Sequence, residues 1–145
     1  MSEPRPFAIV AADWHADREA LRAVRRAVFI DEQRVPEELE WDAEDARSVH
    51  ALARASDGAP IGCGRLLRDG HIGRMAVVAP WRGRGVGDAL LTWLMALSRA
   101  RGDPAILLNA QVPAMPFYAR HGFAPVGEPF DEAGIAHRVM RLALR

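Results

Sequence analysis

The chain has 145 residues, 50% of them hydrophobic and 26% charged, which suits one domain spanning 1–145 and argues against global disorder. Its 19 basic residues balance 19 acids and its pI is near 7.0, so it lacks the basic excess expected of a nucleic-acid binder. Every basic residue is Arg, which excludes a pyridoxal Schiff base, a Gly-Lys-Ser/Thr phosphate loop and a kinase strand lysine.

Residues 1–6 carry Glu3, Pro4 and Pro6 and no apolar run, so no secretory leader is expected. No stretch approaches the roughly 20 apolar residues of a membrane span. The lone Cys63 excludes an intrachain disulfide and a cysteine zinc site, and the five histidines show no metal-ligand spacing, so no metal is expected. A cytoplasmic protein with no membrane or nucleic-acid partner is the expectation.

In chain order, residues 7–10 read as a strand, and Asp13 or Asp17 as the cap of a helix. Leu21, Val24, Val28 and Phe29 share one helical face, with Arg18, Arg22, Arg25 and Arg26 opposite. That helix is expected to end near Ile30. Residues 31–45 hold eight acids against Arg34 alone and are broken by Pro36, which predicts loop or short helix with most acids solvated. Residues 48–54, 61–67 and 71–78 read as strands joined by tight turns at Asp57-Gly58 and Asp69-Gly70, an antiparallel meander. Cys63, between Gly62 and Gly64, reads as a small buried residue. A helix with Leu90, Leu91, Leu94 and Leu97 on its apolar face follows, stopping at Gly102. Residues 106–108 read as a strand, 113–120 as a short helix closed by Gly122, and 123–126 and 137–144 as final strands. This order describes an α+β or mixed α/β domain with one central sheet.

The segment Val77-Val78-Ala79-Pro80-Trp81-Arg82-Gly83-Arg84-Gly85-Val86-Gly87 sets a glycine turn between a strand and a helix. Glycines let backbone N–H groups converge on a ligand, the helix N-terminus adds partial positive charge, and Arg82 and Arg84 add cationic forks. This is a cradle for a pyrophosphate. The dinucleotide spacing G-x-G-x-x-G fails, since its sixth position is Asp88 or Leu90.

The spacing Arg82-x-x-Gly85-x-Gly87 resembles the acyl-CoA-binding motif of the GNAT superfamily of N-acetyltransferases. Downstream, Asn109-Ala110-Gln111 and Ala114-Met115-Pro116-Phe117-Tyr118-Ala119-Arg120-His121-Gly122-Phe123 resemble that family's A-x-x-F-Y-x-x-x-G-F segment. The acidic stretch, from Val28-Phe29-Ile30-Asp31-Glu32-Gln33 through Glu40-Trp41-Asp42 to His50, is similar to the small bacterial ElaA-like branch. The resemblance implies a sheet of about six or seven strands flanked by about four helices, with a parallel pair that splays to admit the acyl-pantetheine arm as an added strand. It assigns Met75, Ala76 and Val77 to that arm, and Arg82, Gly83, Arg84, Gly85, Val86 and Gly87 to the pyrophosphate. Asn109, Phe117 and Tyr118 complete the cofactor set.

The activity implied is transfer of acetyl from acetyl-CoA to a primary amine of a small molecule or peptide. Tyr118, the only tyrosine, sits where the family's tyrosine protonates the leaving thiolate. Histone-acetylating members place a glutamate eleven residues ahead of the motif's first residue, and here that position is His71. Histidine is a residue type suited to the base, and strand alternation puts His71 on the face of Met75 and Val77. A water relay through Glu32 or a backbone carbonyl is the other route. Asp31 and Glu32, at the end of the first helix, are the substrate-binding candidates. The alternative is a non-catalytic acyl-CoA-binding sensor or scaffold. Relatives often dimerise, which leaves a homodimer open.

Overall fold

The computed structural model describes residues 6–145, so the leader reading of 1–6 lies, apart from Pro6, outside the described residues. Seven strands form one mixed sheet in the order β1-β2-β3-β4-β5-β7-β6. The edge strand β1 (Phe7–Ala12) pairs antiparallel with β2 (Val49–Ala55). With β3 (Pro60–Leu66) and β4 (His71–Val77), β2 makes the expected meander. β5 (Ala105–Gln111) lies parallel to β4, and β7 (Ile135–Ala143) with β6 (Ala124–Glu132) ends the sheet as a hairpin. The helices are α1 (Arg18–Arg25), α2 (Glu37–Glu40), α3 (Val86–Arg101) and α4 (Met115–Arg120).

The sheet is packed on both faces. On one, Leu21, Val24 and Val28 meet Leu52, Cys63 and Ala76. On the other, Leu90, Leu91 and Leu94 of α3 pack on Ile61, Leu66, Ile72 and Leu108. Glycine in β3 permits that close approach: a Cβ at Gly64 would lie 2.6 Å from the Met75 sulfur and 2.7 Å from Leu94 Cδ1. Cys63 is buried as expected, and burial pushes its thiol up to about 12, which makes it inert.

Three expectations are corrected. The first helix ends two residues past the expected Ile30, but its end is not α-helical. It continues from α1 as a π-helical turn over Arg26–Glu32, held by a bond from Gln33 N–H to the Val28 carbonyl at 3.1 Å. The wider turn carries Glu32 onto the sheet's open end. Second, Arg25 is not on a solvated face. It is 1% exposed, bonded to Glu40 at 2.8 Å and Asp45 at 2.7 Å, with Trp14 and Trp41 rings 5.4 and 5.1 Å away. Glu40 and Asp45 are buried with it, so the acidic stretch is in part a charge-paired interior rather than a solvated loop.

Third, β4 does not alternate along its length. Cys63 pairs with Ala76 and Arg65 with Gly73, so Arg74 and Met75 together oppose Gly64 alone. This is a β-bulge, with Arg74 at φ 52°. It reverses the phase, and His71 therefore shares a face with Gly73 and Ala76, not with Met75 and Val77.

His50 is buried, stacked on Trp14 at 5.3 Å, with Nε2 2.7 Å from the Asp45 carbonyl. Burial holds its pKa below the ordinary value of 6.5. The unfolded chain therefore takes up the proton first, so this stabilisation is complete above about pH 6.5 and falls away below it. His50→Gln is expected to flatten unfolding free energy against pH between 5 and 7, measured by urea titration. An unchanged slope would contradict this account.

Candidate active site

The parallel pair β4–β5 meets only at His71 with Leu107 and Ile72 with Leu108. Beyond these the strands separate, and the bulge falls two residues past the last pair. The opening forms a cleft of about 820 Å³. The edge 73–77 of β4 forms one wall, Asn109 and Gln111 of β5 the other, and Tyr118 of α4 also lines it. A polar chain entering this gap would meet strand backbone that no neighbouring strand satisfies.

At the end of β4 the chain turns through a 3₁₀ segment (Ala79–Trp81) into the glycine turn and α3. Gly83 and Gly85 have φ of 76° and 84°. Gly85 is the N-cap of α3, and no side chain caps the helix, so its first N–H groups point free at the turn. Val86 is buried in the core and offers only its backbone there. Trp81 packs edge-on against Phe7, and Arg84 lies over Trp81 at 5.0 Å with no carboxylate partner among the described residues. Phe117 packs beside the first turn of α3, 3.5 Å from where a Gly87 Cβ would stand.

Arg82 is placed differently from a free phosphate ligand. Its Nε donates to the Val77 carbonyl at 2.9 Å, and its fork grips Glu32 with two bonds of 2.9 Å. The adjacent Gln33 exchanges amide hydrogen bonds with Gln111 at 2.9 and 3.3 Å. Residues 32 and 33 thus bridge from the β4 side of the cleft to the β5 side. Asp31 is exposed and not part of the lining, so of the two substrate candidates only Glu32 reaches the cleft.

Tyr118 packs between Phe117 and Phe123, with ring centroids 5.0 and 6.1 Å away. Its hydroxyl has no hydrogen-bond partner among the described residues, and burial pushes its pKa up to about 12. It is therefore a proton-bearing group across the physiological range. His71 stands at the closed end of the gap. Its backbone N–H bonds Asp69 at 3.0 Å, and Nδ1 lies 2.9 Å from the same carboxylate without hydrogen-bond alignment. Partial burial pushes Asp69 up, but these contacts with His71 outweigh it and hold Asp69 below the usual carboxylate range.

The sequence reading did not single out other cleft residues. His137, 7% exposed, sets Nδ1 2.7 Å from the Ile135 carbonyl and faces Glu132 with Nε2 at 3.6 Å. Arg65 bridges Asp42 and Asp45 at 2.8 and 3.0 Å, while its buried Nε has no partner. The lining arginines Arg65, Arg74 and Arg82 are all ion-paired. Among the described residues, no group of three or more His, Cys, Asp and Glu could hold a metal ion, and no helix is long and apolar enough to cross a membrane.

The fold has known counterparts. Residues 12–144 match the acetyltransferase (GNAT) domain. The N-acetyltransferase YjcF of Bacillus subtilis, itself uncharacterised, is 36% identical over 121 residues, covering 81% of this chain and 86% of its own. ElaA of Escherichia coli is 32% identical over 126 residues, 81% of this chain and 82% of its own. An acyl-CoA N-acyltransferase from Pseudomonas aeruginosa superimposes with a TM-score of 0.82 at 31% identity, over 94% of this chain and 99% of its own.

Proposed function

The chain belongs to the GNAT acetyltransferase family, in its ElaA-like branch, and from that premise we propose that it moves acetyl from acetyl-CoA to a primary amine by direct transfer. The observation that carries the reading is the splayed β4–β5 gap, with an uncapped helix N-terminus at one end and Tyr118 among its lining residues. The backbone of 75–77 accepts the pantetheine arm, and the N–H groups of 83–87 hold the pyrophosphate. Arg84, with no carboxylate partner among the described residues, can join them. Arg82 first has to share its fork with Glu32 or release it.

The thioester supplies an activated acetyl group. The neutral amine attacks the carbonyl carbon, the N–C bond forms and the C–S bond breaks. Tyr118 gives its proton to the departing sulfur, and His71 takes the proton that the amine loses. The acids along the cleft favour a cationic acceptor, with Glu32 at its mouth. The relatives named are bacterial, and the same setting, in the cytoplasm, is proposed here. A homodimer would not form easily by pairing the β6 edge, where the register breaks between Val126 and Phe130 and Pro129 removes a donor.

The test is thiol release from acetyl-CoA with a panel of diamines, amino acids and peptides. Turnover with a cationic amine, falling as salt rises, is expected. Binding of acetyl-CoA without release for any amine would favour the non-catalytic binder. With an active acceptor in hand, His71→Gln is expected to remove the acid limb of kcat/KM against pH, and an unchanged profile would take His71 out of the mechanism.

The glycine turn makes its own prediction. Alanine at position 85 relaxes out of the left-handed conformation in the free protein, and restoring it to bind the pyrophosphate costs roughly 1–2 kcal/mol. At position 87 it meets only ordinary van der Waals contact with Phe117. Gly85→Ala is expected to weaken acetyl-CoA about tenfold by calorimetry, and Gly87→Ala by less than about threefold. Equal effects at the two positions would contradict the placement of the pyrophosphate.

A further inference from the structure

The bulge in β4 stands where the gap opens, and its first residue is an arginine at φ 52°. A long side chain rarely occupies that region unless its surroundings hold it there. Here they do. Arg74 Nη2 donates to the carbonyls of Leu39 and Glu40 at 3.4 and 3.1 Å and to Asp42 at 3.2 Å. Its Nε lies 3.2 Å from the Glu40 carboxylate. Its own carbonyl accepts the Cys63 S–H at 3.4 Å.

Glu40 is fixed in turn. It is 3% exposed, and Arg25 bonds both its carboxylate, at 2.8 Å, and its carbonyl, at 2.6 Å. Arg25 is anchored on α1 and by Asp45. A continuous chain of charge, buried at Arg25 and Glu40 and half-buried at Arg74, therefore runs from α1 to the bulge.

We propose that Glu40 is a positioning residue for acyl transfer: through Arg74 it holds the bulge that splays β4 from β5 and sets the backbone of 74–76 against the acyl group. The proposal rests on the reading of that gap as the acyl-pantetheine slot. It assigns the acidic stretch a task distinct from attracting substrate. One of its acids shapes the strand that receives the acyl donor.

The test uses E40Q, R74G, R74A and the double variant E40Q/R74G, each assayed well below its own unfolding midpoint. Glycine takes positive φ unaided, so R74G needs no clamp, whereas R74A needs one and has lost it. E40Q is expected to lower kcat at least about tenfold while leaving the KM for acetyl-CoA within about threefold, as loss of a contact made in the transition state would. In the R74G background the same change is expected to alter kcat by less than about twofold, because interacting sites are not additive. R74G should retain more activity than R74A.

Amide hydrogen exchange over 73–77 in the ligand-free protein reads the clamp without any substrate. It should accelerate in E40Q and R74A, and E40Q should add nothing to R74G. Unchanged exchange in E40Q would overturn the proposal, as would an equal kcat loss from E40Q in both backgrounds, or R74A as active as R74G. If the unaltered protein neither binds nor turns over acetyl-CoA, the slot reading fails and the positioning role falls with it. The exchange data would then still show whether Glu40 holds the bulge.

Discussion

Tyr118→Phe is expected to lower kcat by roughly 10²–10⁴-fold, the usual contribution of a positioned proton donor, with the KM for acetyl-CoA nearly unchanged. The ring is wedged between Phe117 and Phe123, and phenylalanine preserves those contacts. Because the hydroxyl has no partner among the described residues, its removal strands no buried group. Only the proton is lost, and the effect should appear in kcat rather than in folding. Burial pushes the Tyr118 pKa up to about 12. A raised pKa extends the protonated form to higher pH, so no descending limb of the rate profile below about pH 11 should be traceable to this residue. Full kcat in Tyr118→Phe, measured by thiol release with a working amine, would remove Tyr118 from the chemistry.

The second large effect concerns the interior. Arg25→Met is expected to destabilise the protein by about 3–5 kcal/mol, because it leaves buried carboxylates without their countercharge. Glu40 and Asp45 are 3% and 1% exposed. Burial alone would lower the pKa of Arg25, and the bonds it donates to Asp45 and Glu40, with their charges, more than reverse it. Arg65 and Arg74 still face these acids, which softens the loss but does not replace the fork between two indoles. In a chain of this size the midpoint should fall by about 10–15 °C. Arg22→Met, on the same helix but 3.9 Å from an exposed Glu37, should change stability by less than about 1 kcal/mol. Equal effects of the two would contradict the account of a buried network.

The contrast between these arginines shows what could be read from the chain. Both lie on the polar face of one helical pattern, and nothing local separates them. The difference comes from Glu40 and Asp45, which reach Arg25 from 15 and 20 residues away. Eight acids following an arginine-rich helix were the available signal, but their charge alone does not tell a solvated loop from a paired interior. The glycine turn and α3 were legible because their determinants are contiguous: an apolar strand, Arg82, Gly85 and Gly87, then an amphipathic run. The face of His71 was misread for the opposite reason. A bulge is a mismatch between two strands, Gly64 against Arg74 and Met75, and alternation along one strand does not reveal it. The Gln33–Gln111 bridge, 78 residues apart in sequence, and the place of His137 in the cleft depend on tertiary approach in the same way. The functional assignment of Tyr118 came from family resemblance. The structure adds that Tyr118 lines the cleft and that its hydroxyl has no partner among the described residues.

The most direct test of the central claim, that the β4–β5 gap and the glycine turn receive an acyl-CoA, is thermal unfolding with acetyl-CoA, free CoA, NAD and ATP. At about 100 times its Kd a ligand adds roughly 2.7 kcal/mol, a rise of about 8–10 °C here. The predicted result is a shift of that size with acetyl-CoA and CoA and little with NAD or ATP. No shift with either CoA species, or an equal shift with NAD, would contradict the assignment of the cleft.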